Sequence, residues 1–219
     1  GALLGRDLRG IKVGVPANFF FEYLDPEVEQ AVGAAVKTLH GLGAALVEVP
    51  TPEMEPAQTA SSVIMLAEAA SVHEELLRTQ GDKYGSNAKT RIQVGATLLA
   101  TDYLKAQRVR TALLREFEEA MGSADVLVTP TTPRPAIRTT DRMPRNDGVE
   151  AARAANNRLC RPFSLLGWPA IALPCGFSSE GMPISLQIVG RPFAEGTILK
   201  VAHAYEQATE WHCRRPPIG

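Results

Sequence analysis

Residues 11–49 contain two short apolar runs with one amphipathic segment between them, and this order constrains the fold more than any other feature of the sequence. The runs at 11–15 and 44–49 are each followed closely by a proline, which predicts two buried strands. Asp25-Pro26 is typical of a helix start, and apolar residues then recur at helical spacing. A crossover of this length favours a parallel strand–helix–strand unit.

The rest of the chain continues the alternation of helices and strands. Apolar periodicity and breaker residues predict helices over 57–77, 86–99, 101–121, 149–159 and 194–209, the fourth of them ended by Pro162. Strands are predicted over 125–128, 170–173 and 184–189, and a polar loop over 134–148. Because nothing interrupts this order, we expect an α/β fold over residues 1–219 without an internal domain boundary.

Charge and composition exclude several classes of function. The 219 residues include 23 lysines and arginines against 24 aspartates and glutamates, so nothing favours nucleic acid or an anionic membrane as a partner. Three cysteines and four histidines follow no metal-binding or disulfide spacing. No run approaches the roughly 20 apolar residues of a membrane span, and the first residues lack the apolar core of a signal peptide. We therefore expect a cytoplasmic protein without metal or other cofactor.

Three polar positions could contact a ligand, although each also has a structural explanation. Arg91 interrupts an apolar helix, where its guanidinium could bind a carboxylate or reach solvent. The segment 129–135, which includes Thr131, leaves the carboxyl end of a predicted strand, so it is either a ligand-binding loop or a stiff connector. Asn157 lies in a polar cluster beside an apolar stretch, where a buried amide must be hydrogen-bonded.

The sequence lacks the short motifs that carry catalysis by themselves. The patterns GxSxG, GxxxxGKS and GxGxxG do not occur. We interpret Cys160 and Cys175 as buried structural cysteines, because a cysteine nucleophile needs a base close by. His73 lies beside two glutamates, which favours a surface polar cluster over a catalytic histidine.

Four strings stand out when the sequence is compared with known families. They are DLRGIKVGVP at 7–16, DYLKAQRVR at 102–110, DVLVTPT at 125–131, and the run at 157–190 that contains RPFSLLGWPA, LPCG and LQIVG. Each resembles a string of the amidase signature family, and they follow the order of that family over nearly the whole chain. The run at 157–190 is the most specific of the four.

This resemblance implies one mixed sheet covered by helices on both faces, of which the chain forms a part. Family members hydrolyse amides with two serines and a lysine, which come from the other half of a longer chain and a Gly/Ser-rich signature. That signature does not occur here. The resemblance therefore implies the C-terminal half of an amidase, inactive alone, whose partners are the missing N-terminal half and a small-molecule amide. We also expect homo-oligomers, because part of a sheet exposes apolar surface and an unpaired edge.

The resemblance also indicates Arg91, Thr131 and Asn157 as substrate-binding residues. In the A subunits of tRNA-dependent amidotransferases, an arginine in RRIxxG and an aspartate in NDxxTxP hold the carboxylate and the ammonium of glutamine. Arg91 matches that arginine, whereas Asn157 takes the place of the aspartate and cannot compensate an ammonium charge. This difference favours a general amidase. The alternatives are a non-catalytic amidase-like module and a fragment of an amidotransferase A subunit.

Overall fold

A mixed five-stranded sheet forms the centre of the computed structural model, which describes residues 5, 7–137 and 156–215. The strands are β1 (Lys12–Pro16), β2 (Ala45–Val49), β3 (Val126–Pro130), β4 (Ala170–Phe177) and β5 (Pro183–Gly190). Their order across the sheet is β2-β1-β3-β5-β4. Strand β1 is parallel to β2 and β3, and β5 is antiparallel to β3 and β4. The α/β fold and the parallel strand–helix–strand unit are confirmed.

Helices cover both faces of this sheet. They are α1 (Pro26–Gly41), α2 (Glu55–Gln80), α3 (Ser86–Gly95), α4 (Ala100–Met121), α5 (Arg161–Leu166) and α6 (Glu195–Ala208), with short 3₁₀ turns at Gly81–Lys83 and Trp211–Cys213. The predicted start of α1 is confirmed, since Asp25 Oδ1 accepts a hydrogen bond of 2.9 Å from the Glu27 amide. No helix among the described residues is long and apolar enough to cross a membrane.

Two apolar cores lie on opposite faces of the sheet. Side chains alternate along β3, so that Val126 and Val128 belong to the core beneath α1 and α6. Leu127, between them, belongs to the core beneath α2, α4 and α5. This alternation follows from the two-residue period of a strand and explains why β3 is buried along its whole length.

The second face carries the layer of α2, α3 and α4. Helix α3 crosses α2 closely at Gly95, where a side-chain carbon would overlap the Leu66 carbonyl oxygen. Glycine is therefore required there, because only a hydrogen atom fits between the two helix backbones. The close crossing fixes the position of α3, and with it Arg91, relative to α2.

Several sequence-based boundaries need correction. The predicted helix at 86–99 ends at Gly95. The sequence suggests Thr101 or Asp102 as the cap of the next helix, but α4 begins at Ala100 and both residues lie in its first turn. Residues 156–160 form turns, and Pro162 lies in the first turn of α5 instead of ending a helix. Proline fits that place because the first helical turn has free amide groups in any case. Most of the predicted loop at 134–148 and helix at 149–159 lies outside the described residues.

Candidate functional site

Two adjoining cavities lie along one face of α2. The first, of about 720 Å³, lies between α2, α4 and the turn at 156–160. The second, of about 740 Å³, lies between α2 and α3. Both are lined by Met65, Ala69 and His73, so they adjoin along one row of α2 side chains, and we call the two cavities together the α2 groove.

Asn157 lies at the first cavity. Its side chain is exposed and lines the groove. Its carbonyl oxygen accepts hydrogen bonds from the amides of Cys160 and Arg161, at 3.2 and 3.1 Å. These bonds close the turn that leads into α5, so the side-chain amide is held at the groove by a turn of fixed shape.

Thr131 lies behind this turn and does not line the groove. Its amide donates to the Ser185 carbonyl oxygen at 3.1 Å, which continues the pairing of β3 with β5. Its own carbonyl oxygen accepts a hydrogen bond of 3.2 Å from Cys160 Sγ. The Thr131 hydroxyl oxygen is buried and has no hydrogen-bond partner among the described residues. Thr131 therefore supports the Asn157 turn from below.

Arg91 lies at the second cavity. It is exposed on α3, and its Nη2 atom lies 3.9 Å from Met65 Sδ. Because Met65 lines both cavities, this contact places the Arg91 guanidinium on the side of the second cavity that adjoins the first cavity. The structure thus places Arg91 and Asn157 on one groove, and Thr131 behind its wall.

Sequence reasoning missed a glutamine that holds the groove in place. Gln187 is only 4% exposed in the middle of β5. Its side-chain amide donates to the carbonyl oxygens of Pro130 and Leu159, at 3.2 and 3.0 Å. These two bonds tie the end of β3 to the Asn157 turn. A glutamine in an apolar strand run is a signal that could have found it, because a buried amide needs partners.

Two more arginines line the first cavity and were also missed. Arg161 donates a hydrogen bond of 2.9 Å to Ser62 Oγ, and Arg110 reaches the cavity from α4. Burial lowers the pKa of the Arg161 guanidinium, and the positive charge of Arg91 lowers it further. The two positive charges therefore disfavour each other.

The serine, cysteine and histidine side chains of the groove show no activated nucleophile. Ser164, which lines the groove, and Ser62, which bonds to Arg161, donate their hydroxyl protons to the carbonyl oxygens four residues earlier, at 3.2 and 2.9 Å. In the described part of the chain, the lining residues Ser61 and Ser86 form no side-chain hydrogen bond to a basic or acidic group. Burial raises the pKa of the Cys160 thiol, which disfavours a thiolate. His73 bonds to the Tyr84 hydroxyl at 2.8 Å. Within the described residues, no group of three histidine, cysteine or acidic side chains could hold a metal ion.

Comparison with known proteins identifies the family. The Amidase family model matches residues 2–199. This chain belongs to the amidase family. It is 42% identical to an amidase of Pseudomonas putida over 217 residues, which are 98% of this chain and 46% of that protein. It is 36% identical to the A subunit of the glutamyl-tRNA(Gln) amidotransferase of Thermodesulfovibrio yellowstonii over 236 aligned positions, covering 97% of this chain and 48% of that protein.

A solved structure supports the same assignment. A crystal structure of an amidase superposes with a TM-score of 0.80 at 28% identity, covering 93% of this chain and 46% of the other. The chain thus spans about half the length of the amidase-family relatives it matches. The resemblance to the amidase signature family is confirmed. The similar proteins include both amidases and the A subunits of amidotransferases.

Proposed function

We propose that this chain is the C-terminal half of an amide hydrolase, and that it supplies a wall of the substrate site. The reaction is hydrolysis of an amide to a carboxylic acid and ammonia or an amine. The α2 groove supports this proposal most directly, because it brings Arg91 and Asn157 together without an activated nucleophile. The chain spans about half the length of these relatives, which agrees with a missing half that carries the catalytic serines and lysine.

Each groove residue has a role that suits its chemistry. The Arg91 guanidinium can bind a carboxylate through two parallel hydrogen bonds. The Asn157 side-chain amide can donate to, or accept from, the polar end of an amide substrate. Thr131 and Gln187 hold the turn that carries Asn157. The partners are then a small-molecule amide and the other half of the enzyme, with no cofactor required.

The second candidate is a fragment of the A subunit of a tRNA-dependent glutamine amidotransferase. It is favoured by the identity of 36% to such a protein and by the presence of Arg91 in the groove. Asn157 argues against it, because a neutral amide beside three arginines does not compensate the ammonium of glutamine.

Ammonia release from a panel of amides tests the proposal. The isolated 219-residue chain should release no ammonia from aliphatic amides, aromatic amides or glutamine. The longer protein, or the chain co-expressed with the other half of the enzyme, should hydrolyse some of them. Turnover of glutamine alone would favour the amidotransferase. Turnover by the isolated chain that disappears in Ser164→Ala or Cys175→Ala would overturn the assignment of the nucleophile to the other half.

A further inference from the structure

Three arginines from three different helices line the α2 groove. Arg91 lies on α3, Arg110 on α4 and Arg161 at the start of α5. In the described part of the chain, none of these three guanidinium groups has a carboxylate oxygen within 4.0 Å. The ion pairs found there are formed by other basic residues. Arg110 and Arg161 line the first cavity and Arg91 lines the second, so three basic side chains lie along the same groove.

Only one carboxylate among the described residues lines this groove. Glu68 is exposed on α2, and its Oε1 atom accepts a weak hydrogen bond of 3.4 Å from the Tyr103 hydroxyl. One acidic side chain cannot compensate three guanidinium groups. The groove therefore carries net positive charge, although the whole chain has a formal charge of -1.

Helix α2 sets the spacing of two of these arginines. Arg161 is held by Ser62 Oγ at 2.9 Å, and Arg91 contacts Met65 Sδ at 3.9 Å. Ser62 and Met65 are three residues apart on α2, so they are neighbours on one helix face, with their Cβ atoms about 5–6 Å apart. The two guanidinium groups thus contact neighbouring side chains of one turn of α2.

An anion placed between these two groups would remove their repulsion. Burial and the charge of Arg91 both lower the pKa of Arg161, so its positive charge is disfavoured in these surroundings. A carboxylate is the natural partner, because a guanidinium presents two parallel donors that match its two oxygens. Asn157, at the same cavity, supplies an uncharged amide that does not compete for the anion.

The resemblance already implies that Arg91 can hold a substrate carboxylate. We propose that Arg161 binds the same carboxylate as a second guanidinium, so that the enzyme prefers amides that carry a second, anionic group. This inference rests on the proposed amide hydrolysis and adds Arg161 as a residue that determines specificity. Arg110 strengthens the positive potential of the cavity from the opposite side. An acidic segment of the other half of the enzyme is the competing occupant, and the experiment separates the two.

The test compares two amides of equal length, adipamate and hexanamide, on the longer protein that contains this chain. We expect a larger kcat/KM for adipamate, and we expect Arg161→Gln to lower the ratio of the two kcat/KM values by roughly 10- to 100-fold, as for loss of a charged hydrogen bond. Arg161→Lys should keep part of the preference. Arg115→Gln, on an exposed face of α4, is the matched control and should leave the ratio unchanged.

Direct binding of adipamate to the same protein, measured by calorimetry, separates the inference from the proposed function. Binding that Arg161→Gln weakens, without turnover of either amide, would overturn amide hydrolysis and support the anion site. Equal binding of adipamate and hexanamide by the unmodified protein would overturn the anion site. If Arg161→Gln lowers kcat/KM for adipamate and hexanamide equally and destabilises the protein, the substrate anion site would also be overturned. That result would favour an acidic segment of the other half as the occupant of the groove.

Discussion

The guanidinium of Arg158 lies 4.1 Å above the ring of Phe19 and donates a hydrogen bond of 2.9 Å to the Phe19 carbonyl oxygen. It also donates to the Glu22 carbonyl oxygen at 3.1 Å. Arg158 is only 3% exposed. The backbone of Phe19 has a φ of 59°, a value that residues other than glycine rarely adopt. The arginine therefore holds a strained segment after β1 against the turn that carries Asn157.

Replacing Arg158 with lysine should destabilise the protein. A lysine keeps the charge, but it lacks the planar fork that stacks on Phe19 and reaches two carbonyl oxygens at once. We expect the free energy of unfolding to fall by about 2–3 kcal/mol, measured by urea denaturation. Arg115→Lys, on an exposed helix face, should change it by no more than about 0.5 kcal/mol. Equal effects of the two substitutions would contradict the role of Arg158.

Gly95 offers a test of how α3 is positioned. Gly95→Ala forces a methyl group against the Leu66 carbonyl oxygen, so α3 must move away from α2. We expect a loss of about 1–3 kcal/mol in unfolding free energy and weaker binding of anionic amides, because Arg91 moves with the helix. Gly33→Ala in α1 is the matched control, since nothing lies within 4 Å of the added carbon. It should stabilise the protein by up to about 1 kcal/mol, and destabilisation by both would argue against the crossing as the cause.

Local patterns were sufficient to predict the central elements of the fold. The strand–helix–strand unit at 11–49 could be predicted because its period, its Asp25 cap and its prolines act within a few residues. The start of α5 was not predicted. Pro162 fits both the end of one helix and the first turn of the next, and only the hydrogen bonds of the Asn157 turn distinguish the two.

Candidate site residues could be predicted only where a family motif or a polar residue in an apolar stretch marks them. Arg91 and Asn157 were candidates on both grounds, and both line the α2 groove. Arg161 belongs to the string RPFSLLGWPA, but the sequence alone indicated no functional role for it. Its significance depends on Ser62, 99 residues away in sequence, and on the crossing of α2 and α3. Contacts over such separations leave no periodic signal in one sequence.

Alkaline pH should weaken the fold through Cys175. Burial raises the pKa of its thiol to about 12, whereas the unfolded chain loses that proton near pH 8.5. Between these pH values the folded protein keeps the proton and the unfolded chain loses it. The contribution of the Cys175 thiol to stability is therefore complete below about pH 8.5 and is lost as the pH rises toward 12. Burial also raises the pKa of the Tyr205 hydroxyl, which has the same effect on stability.

Urea unfolding from pH 8 to 11 should show a shallower decline of the unfolding free energy for Cys175→Ala than for the unmodified chain. The decline should be unaltered for Cys213→Ala, whose thiol is exposed. Identical declines in all three proteins would contradict this account.

The outer edge of β4 should drive self-association of the isolated chain. In the described part of the chain no strand pairs with that edge, and Ala170 and Ala172 are exposed there. We expect dimers or larger assemblies in light scattering over a range of concentrations, and a shift toward monomer for Ala172→Lys, because a lysine on an edge strand opposes pairing. Ala34→Lys, on an exposed face of α1, should leave the distribution unchanged. A monomer at every concentration would disprove the prediction.

A negative charge at position 157 should change which amide the enzyme prefers. Asn157→Asp adds a carboxylate to the first cavity, four residues before Arg161 and at the same cavity as the proposed anion site. The new charge can pair with the ammonium of glutamine, so kcat/KM for glutamine relative to hexanamide should rise by roughly tenfold. The same charge repels a carboxylate, so the preference for adipamate should fall in parallel. Asn156→Asp adds the same charge one residue away on a side chain that does not line the groove, and should shift neither ratio by more than about twofold. Ratios that stay constant in Asn157→Asp would remove Asn157 from the substrate site and would leave the groove to the arginines alone.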